Sequence, residues 1–328
     1  MYDKLIIKWT LKLILVMNSR SKITNYIEQG CIDKHDIPQA LGLAHLSPEP
    51  RHWYKFISQL SYWLSAIAFS CAVIFFFAYN WDAMGRFAKL AVVQSLLVLA
   101  IGSYCLLPAK SMLGKMLLFT SSLFVGALLA LIGQIYQSGA DPWTLFALWA
   151  LLIVPWMLIS QLPALYLFWI GLLTLSAGLY VDGIGYSGFV YWVCFVISSF
   201  ALICWELCSL KYKWLKQAWA SRILLAISLL SINNLLAEQV FWSQDASYWR
   251  WLVWGLWSLG CFFIYRFKKP DLMVLAALAL SFIVVVDMHL VKYVLESAGG
   301  MLLITGLTIA MGSFASHWLK TVGRQWNQ

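Results

Sequence analysis

The sequence predicts an all-α polytopic membrane protein: a bundle of about ten transmembrane helices with a small helical segment at the N-terminus. Three observations predict it. Hydrophobic residues make up 62% of the 328 residues and charged residues 11%, against about 45–50% and about 25% in a soluble domain. Ten apolar stretches follow residue 58, each near the roughly 20 residues needed to cross a ~30 Å hydrocarbon layer. The charges then alternate with those stretches. With a cytoplasmic N-terminus, 19 of the 23 Lys and Arg fall on the cytoplasmic side, as the positive-inside rule requires.

Residues 1–16, MYDKLIIKWTLKLILV, are apolar but interrupted by Lys4, Lys8 and Lys12. They are too short and too charged to span, and no small-residue cleavage site follows. Two readings stay open: an interfacial amphipathic helix, or an upstream start with Met17 as the natural one. Residues 17–58 are the soluble-looking stretch. Ile23–Gln29 reads as a short helix stopped by Gly30. A second helix is expected over Asp36–Leu43, and Ser47-Pro48-Glu49-Pro50 reads as a linker. The segment carries no recognition motif, so a small cytoplasmic cap is expected rather than a DNA-binding helix pair.

The spans are expected at 59–79, 87–107, 113–134, 143–160, 163–181, 187–208, 219–237, 249–266, 271–288 and 298–317, with 318–328 as a cytoplasmic tail. Gln161-Leu162-Pro163 makes a tight hairpin of the fourth and fifth. The even-numbered connections hold Lys110 and Lys115, then Lys211, Lys213, Lys216 and Arg222, then Arg266, Lys268 and Lys269. The odd-numbered ones hold only Arg86, Lys89, Arg250 and Lys292. Both termini are therefore expected in the cytoplasm. Ten of the 19 tryptophans, Trp53, Trp63, Trp81, Trp143, Trp205, Trp214, Trp219, Trp242, Trp249 and Trp318, lie near expected span ends, where an amphipathic ring sits well at headgroup level. Spans one to five show no similarity to six to ten, so only the number ten speaks for an inverted repeat.

Composition also narrows the chemistry. The net charge of +9 resides in short loops beside spans, which points to membrane orientation and not to nucleic acid. The seven cysteines include no CxxC, so neither a disulfide framework nor a zinc site is indicated, and no cofactor is expected. No HExxH, GxSxG or Walker motif occurs; the expectation is a non-enzyme. The lipid bilayer is the expected partner, with a second envelope protein as a further one.

Polar residues gather at the outer ends of the spans. Asn80, Trp81 and Asp82 lead to Arg86 and Lys89 at the head of the second span. Gln134, Tyr136, Gln137, Asp141 and Trp143 lie between the third and fourth. These ten residues are the candidate binding site, and one polar cluster is expected from them, with Arg86 or Lys89 as counter-ion for Asp82 or Asp141. Asp141 is expected as an N-cap with Pro142 in the first helical turn. Gly126, Ala130, Gly133 and Gln137 share a face of the third span, where small residues admit a close neighbour; Gln134 and Gln137 are then expected to face protein. Capping and loop-pinning account for the same residues as well as a binding site does. The midplane holds almost no ionisable group, which speaks against a proton- or ion-coupled carrier.

Asn80-Trp81-Asp82 and Gly133-Gln134-Ile135-Tyr136-Gln137, with Asp141-Pro142-Trp143-x-Leu145-Phe146 and Leu152-x-x-Pro155-Trp156, resemble a bacterial family of membrane proteins catalogued as domain of unknown function 2157. The resemblance covers roughly residues 20–180. It implies a bacterial inner membrane and no particular activity. The first sixteen residues look like an addition to the family's usual N-terminus. The reading that follows is an envelope scaffold or assembly factor with a polar outer-face cluster. Its alternative is a carrier or binder of an apolar or lipidic ligand entering from the outer face.

Overall fold

The computed structural model describes residues 26–27, 30, 32–33, 35–37, 39, 50–79, 84–108, 111–136, 139, 141–242, 248–294 and 298–327. The expected extension 1–16 and the expected linker up to Glu49 lie outside the described residues, as does most of both short helices. Gly30 is described. It has φ 71° and its N–H donates to the Ile27 carbonyl at 3.1 Å, the left-handed stop expected of it.

Every described element is helical. In chain order they are α1 (Pro50–Tyr79), α2 (Arg86–Cys105), α3 (Met112–Tyr136), α4 (Pro142–Leu152), α5 (Val154–Ser160), α6 (Pro163–Gly183), α7 (Val190–Lys211), α8 (Ala218–Phe241), α9 (Tyr248–Phe263), α10 (Leu272–Val294) and α11 (Ala298–Asn327). Eight of these are long and apolar enough to cross a membrane singly, and α4 with α5, bent by 40°, is either a broken ninth span or a re-entrant loop. The chain is a multi-pass membrane protein. The expected eighth span, 249–266, falls on α9, whose 16 residues are just short of a crossing. A π-helical turn over Ile264–Lys268 continues it.

Two boundaries differ from expectation. Pro50 opens α1 instead of closing a linker, because proline's missing N–H costs nothing in a first helical turn. The fourth span is not straight, and Pro155 is the cause. Its ring excludes the carbonyl of Leu151, and it has no N–H to donate there. Ile153 is the pivot; it is fully buried, and its N–H still reaches the Trp149 carbonyl at 3.2 Å. The hairpin at Gln161 forms as expected: Gln161 sits at φ 47° and Pro163 starts α6.

The chain divides into two compact units, Met1–Ser61 with Trp318–Gln328, and Tyr62–His317. In the first, the Trp53 and Phe56 rings meet edge to face at 6.2 Å, and Val322 is buried. In the second, α2 packs on α3, α4 on α6, α6 on α7, α7 on α8, and α8 on α10. One core cluster joins Val73, Val93, Phe124 and Leu131; another joins Val125, Ala150, Ile153 and Leu172; a third joins Phe195, Ile232 and Leu235. Since lipid tails are as apolar as these side chains, such contacts hold helices together through close packing and a few polar bonds. The bonds are present. Trp149 Nε1 donates to the Ser122 carbonyl at 2.7 Å, Ser281 Oγ to Asn233 Oδ1 at 2.9 Å, and Trp254 Nε1 to Ser281 Oγ at 3.2 Å.

Candidate functional site

The residues singled out in the sequence do not form one described cluster. Asn80, Trp81, Asp82 and Gln137 lie outside the described residues. Arg86 is exposed at the start of α2, while Lys89, one turn on, is buried. Asp141 occupies the N-cap position of α4, but its side chain makes no capping bond. Its carbonyl does that work, accepting from Thr144 N–H at 3.0 Å and Thr144 Oγ1 at 2.6 Å. Neither Arg86 nor Asp141 has an ion pair among the described residues. Gln134 and Tyr136 are exposed. The expectation that Gln134 faces protein is corrected: the crowded face of α3 lies at Gly126, about two turns earlier. Trp143 has a structural task. Its ring meets Tyr180 at 5.0 Å, and its carbonyl accepts from Ser176 Oγ at 2.9 Å, which pins α4 to α6.

A wide opening lies elsewhere. A groove of about 880 Å³ runs between α6, α7 and α8, inside the ~300–1,000 Å³ range of small-molecule sites. Leu167, Ile170, Leu175, Leu179, Val190, Ile223 and Ile227 line it with hydrocarbon. From Leu167 to Asp182 along α6 is about 22 Å at 1.5 Å per residue, much of a ~30 Å hydrocarbon layer. Its charged groups lie at one end, Asp182 and Glu238, with Ser187, Asn234 and Trp242; Thr174 and Ser198, further along, bond back to carbonyls of their own helices. At the charged end Glu238 Oε2 lies 3.7 Å from Arg250 Nη1, longer than a good charged hydrogen bond. Both Glu238 Oε2 and Arg250 Nε are buried without a hydrogen-bond partner, a state that costs about 1–3 kcal/mol per group. An apolar wall with an under-satisfied polar end suits an amphiphile.

The other end of the same helices is closed by polar bonds. Glu206 of α7 accepts Tyr265 Oη on Oε1 at 2.8 Å and pairs with Lys269 through Oε2. Lys269 also donates to Ser209 Oγ at 2.8 Å. Arg222 of α8 donates from Nε to Asp271 Oδ2 at 2.9 Å, and Asp271 Oδ1 accepts from Met273 N–H at 2.9 Å to cap α10. The π turn of Ile264–Lys268 brings Tyr265 and Lys269 to one carboxylate; such turns recur at functional sites.

Residues 24–166 match the family described as predicted membrane protein (DUF2157). No curated protein and no solved structure matches the chain. The DUF2157 match takes in α1 to α5 and ends inside α6, one residue before Leu167 opens the groove. Both the groove and the opposite ion pairs therefore lie beyond it. Among the described residues no group of three or more His, Cys, Asp or Glu is placed to hold a metal ion.

Sequence reasoning missed the groove, although one signal for it was present. Gly171, Thr174, Gly178 and Asp182 follow the 3–4 spacing of a single helix face, as Gly126 and its neighbours do in α3. The Glu206 network had a weaker signal. Glu206 and Lys269 stand at span ends on the same side by the charge count, but 63 residues separate them.

Proposed function

We propose that this protein is a non-enzymatic multi-pass protein of a bacterial inner membrane, with both termini cytoplasmic, that binds an apolar or lipidic ligand in the groove of α6, α7 and α8. The observation that carries the reading is the groove itself: about 880 Å³, hydrocarbon-walled, with Asp182, Glu238 and Trp242 at one end. By the charge count that end faces outward. The ligand's chains lie along Leu167–Leu179, and its polar group meets the carboxylates at the outer interface. A midplane without ionisable residues is what an uncharged hydrocarbon ligand requires, so the argument against an ion-coupled carrier does not oppose this reading.

The test is photolabelling. The full chain is placed in vesicles containing phosphatidylethanolamine with a diazirine in one acyl chain. Labelled peptides should come from the α6 and α7 faces of the groove, around Leu175 and Cys194, and Gly171→Trp should suppress them. Uniform labelling of all exposed helices, unchanged by Gly171→Trp, would mean that the groove holds only bulk lipid.

A docking role for a second envelope protein on the outer face keeps one specific support. Tyr136 is 61% exposed at the end of α3, beside exposed Gln134 and across the turn from exposed Asp141. Replacing Tyr136 and Gln134 together with alanine should then abolish co-purification of that partner while leaving photolabelling of the groove intact.

A further inference from the structure

A second cavity, of about 390 Å³, opens at the end of the bundle opposite the Glu238 end of the groove. Glu206, Ser209, Lys216, Gln217, Tyr265 and Lys269 are among its walls. Its acids are already matched. Glu206 is held by Lys269 and Tyr265, and Asp271, also at the wall, by Arg222 and the first turn of α10. Lys216 is exposed and has no ion pair among the described residues. Gln217 uses its Oε1 to accept from Trp219 Nε1 at 2.7 Å, so its amide N–H groups remain to donate. The two segments that border the cavity also carry Lys211, Lys213, Arg266 and Lys268. Seven bases thus stand against two acids in this neighbourhood. α8 begins at Ala218 on the cavity wall with no side-chain cap, and its positive dipole end adds to the same field. Trp205, buried in the cavity wall, donates its Nε1 to the Leu215 carbonyl at 3.1 Å, and Trp214 and Trp219 flank the same turn, in keeping with the preference of indole rings for headgroup level. Basic pockets between transmembrane helices at this depth recognise anionic headgroups.

We propose that this cavity binds a phosphate group, with Lys216 as the free cation, Lys269 as a second donor and Gln217 as a neutral one. The Glu206–Lys269–Tyr265 network is its fixed floor, and the π turn is the device that builds it. The phosphate is borne by an anionic lipid or is free in solution, and the chemistry that recognises it is the same.

The test uses the full chain in a neutral detergent and two probes, diheptanoyl phosphatidylglycerol and inorganic phosphate, with diheptanoyl phosphatidylcholine as the control. Calorimetric titration should show saturable binding of phosphatidylglycerol or phosphate and at least tenfold weaker binding of phosphatidylcholine. Lys216→Gln should weaken binding about fivefold, at about 1 kcal/mol for one base near the membrane surface. Lys216→Glu should weaken it tenfold or more. Because Lys216 is exposed, both variants should unfold at the same temperature as the parent. Phosphatidylglycerol binding that persists in excess inorganic phosphate assigns a lipid headgroup, and mutual displacement assigns a free phosphate. Equal binding of phosphatidylcholine, no binding of either phosphate probe, or unchanged affinity in Lys216→Glu overturns the proposal.

Discussion

Gly126 of α3 and Gly171 of α6 are both glycines on the flank of a membrane helix, and they meet opposite surroundings. A Cβ at Gly126 would lie 2.2 Å from the Trp149 ring. The indole is fixed by its bond to the Ser122 carbonyl and by Phe168 at 5.4 Å, edge to face. A Cβ at Gly171 would meet nothing within 4 Å, because Gly171 faces the groove. The first gap is filled by the chain's own side chain and serves packing. The second is left open along a hydrocarbon wall. In a membrane, where burial of apolar surface gives no net drive between helices, an unfilled groove is occupied by lipid or by a ligand. The contrast therefore separates a structural notch, filled by the chain itself, from an open groove within one fold.

The same substitution placed at both positions tests the contrast most directly. Gly126→Leu should be the most damaging change, because the leucine must displace an indole held on two sides. Overpacking of this kind costs about 3 kcal/mol, and the Trp149 bond is lost as well. The readout is a drop in the thermal unfolding midpoint of the detergent-solubilised protein, with reduced accumulation in the membrane. If Gly126→Leu unfolds no earlier than the parent, α3 and α4 are not in close contact there.

Glu206→Ala comes next. It strands Lys269 and Tyr265 Oη at the base-rich end of α7 and α9. Hydrogen bonds to charged groups contribute about 1.5–3 kcal/mol, and the partial exposure of Glu206 and Lys269, 21% and 38%, places the expected loss near 2 kcal/mol at most. Glu206→Gln keeps an acceptor for Tyr265 and should recover part of it. An equal loss in the two variants would show that the carboxylate's charge, and not its hydrogen bonding, sets the stability there.

Gly171→Leu is the counterpart to the first change and should leave stability within about 1 kcal/mol, as the side chain enters open space. Its effect belongs to the ligand: retained lipid, counted by native mass spectrometry, should fall about tenfold. A stability loss matching that of Gly126→Leu would show that the groove is closed by packing and that the contrast between the two glycines is false.

The helical architecture was legible because it rests on composition and on the length of hydrocarbon a helix must cross. Each expected span coincides with a helix or, at 143–160, with a helix pair. The break within that pair was not expected, although Pro155 lies in mid-span and removes a hydrogen bond from any helix that contains it. The candidate sites were less legible for a physical reason. Whether Gly126 or Gly171 is covered depends on which distant ring reaches it, and helix spacing in the sequence carries no information about that. Lys269 was expected as a cytoplasmic-side charge at a span end, but its pairing with Glu206 depends on the π turn at Ile264–Lys268, a one-residue change of register with no sequence signature. The polar residues between α3 and α4 drew attention because amides and carboxylates beside a membrane are conspicuous. Gln134 and Asp141 proved exposed, where such groups need no partner.

Asp141→Ala is the smallest expected effect, and the most informative about that last point. An aspartate that caps a helix through its side chain contributes about 1 kcal/mol. Here Asp141 is exposed and its carboxylate makes no bond to the first turn of α4; the backbone carbonyl and Thr144 form the contacts instead. Substitution by alanine keeps that carbonyl, and Pro142 still presets the first helical residue. The expected change in stability is therefore within about 0.5 kcal/mol, the range of ordinary surface replacements, and the thermal midpoint should be unaltered. Thr144→Val, which removes the 2.6 Å hydroxyl bond to the Asp141 carbonyl, should cost more than Asp141→Ala. The reverse order would mean that the carboxylate turns inward to cap α4 in the membrane. The outer ends of α3 and α4 would then belong with the structural notch at Gly126 and not with exposed surface free to meet a partner.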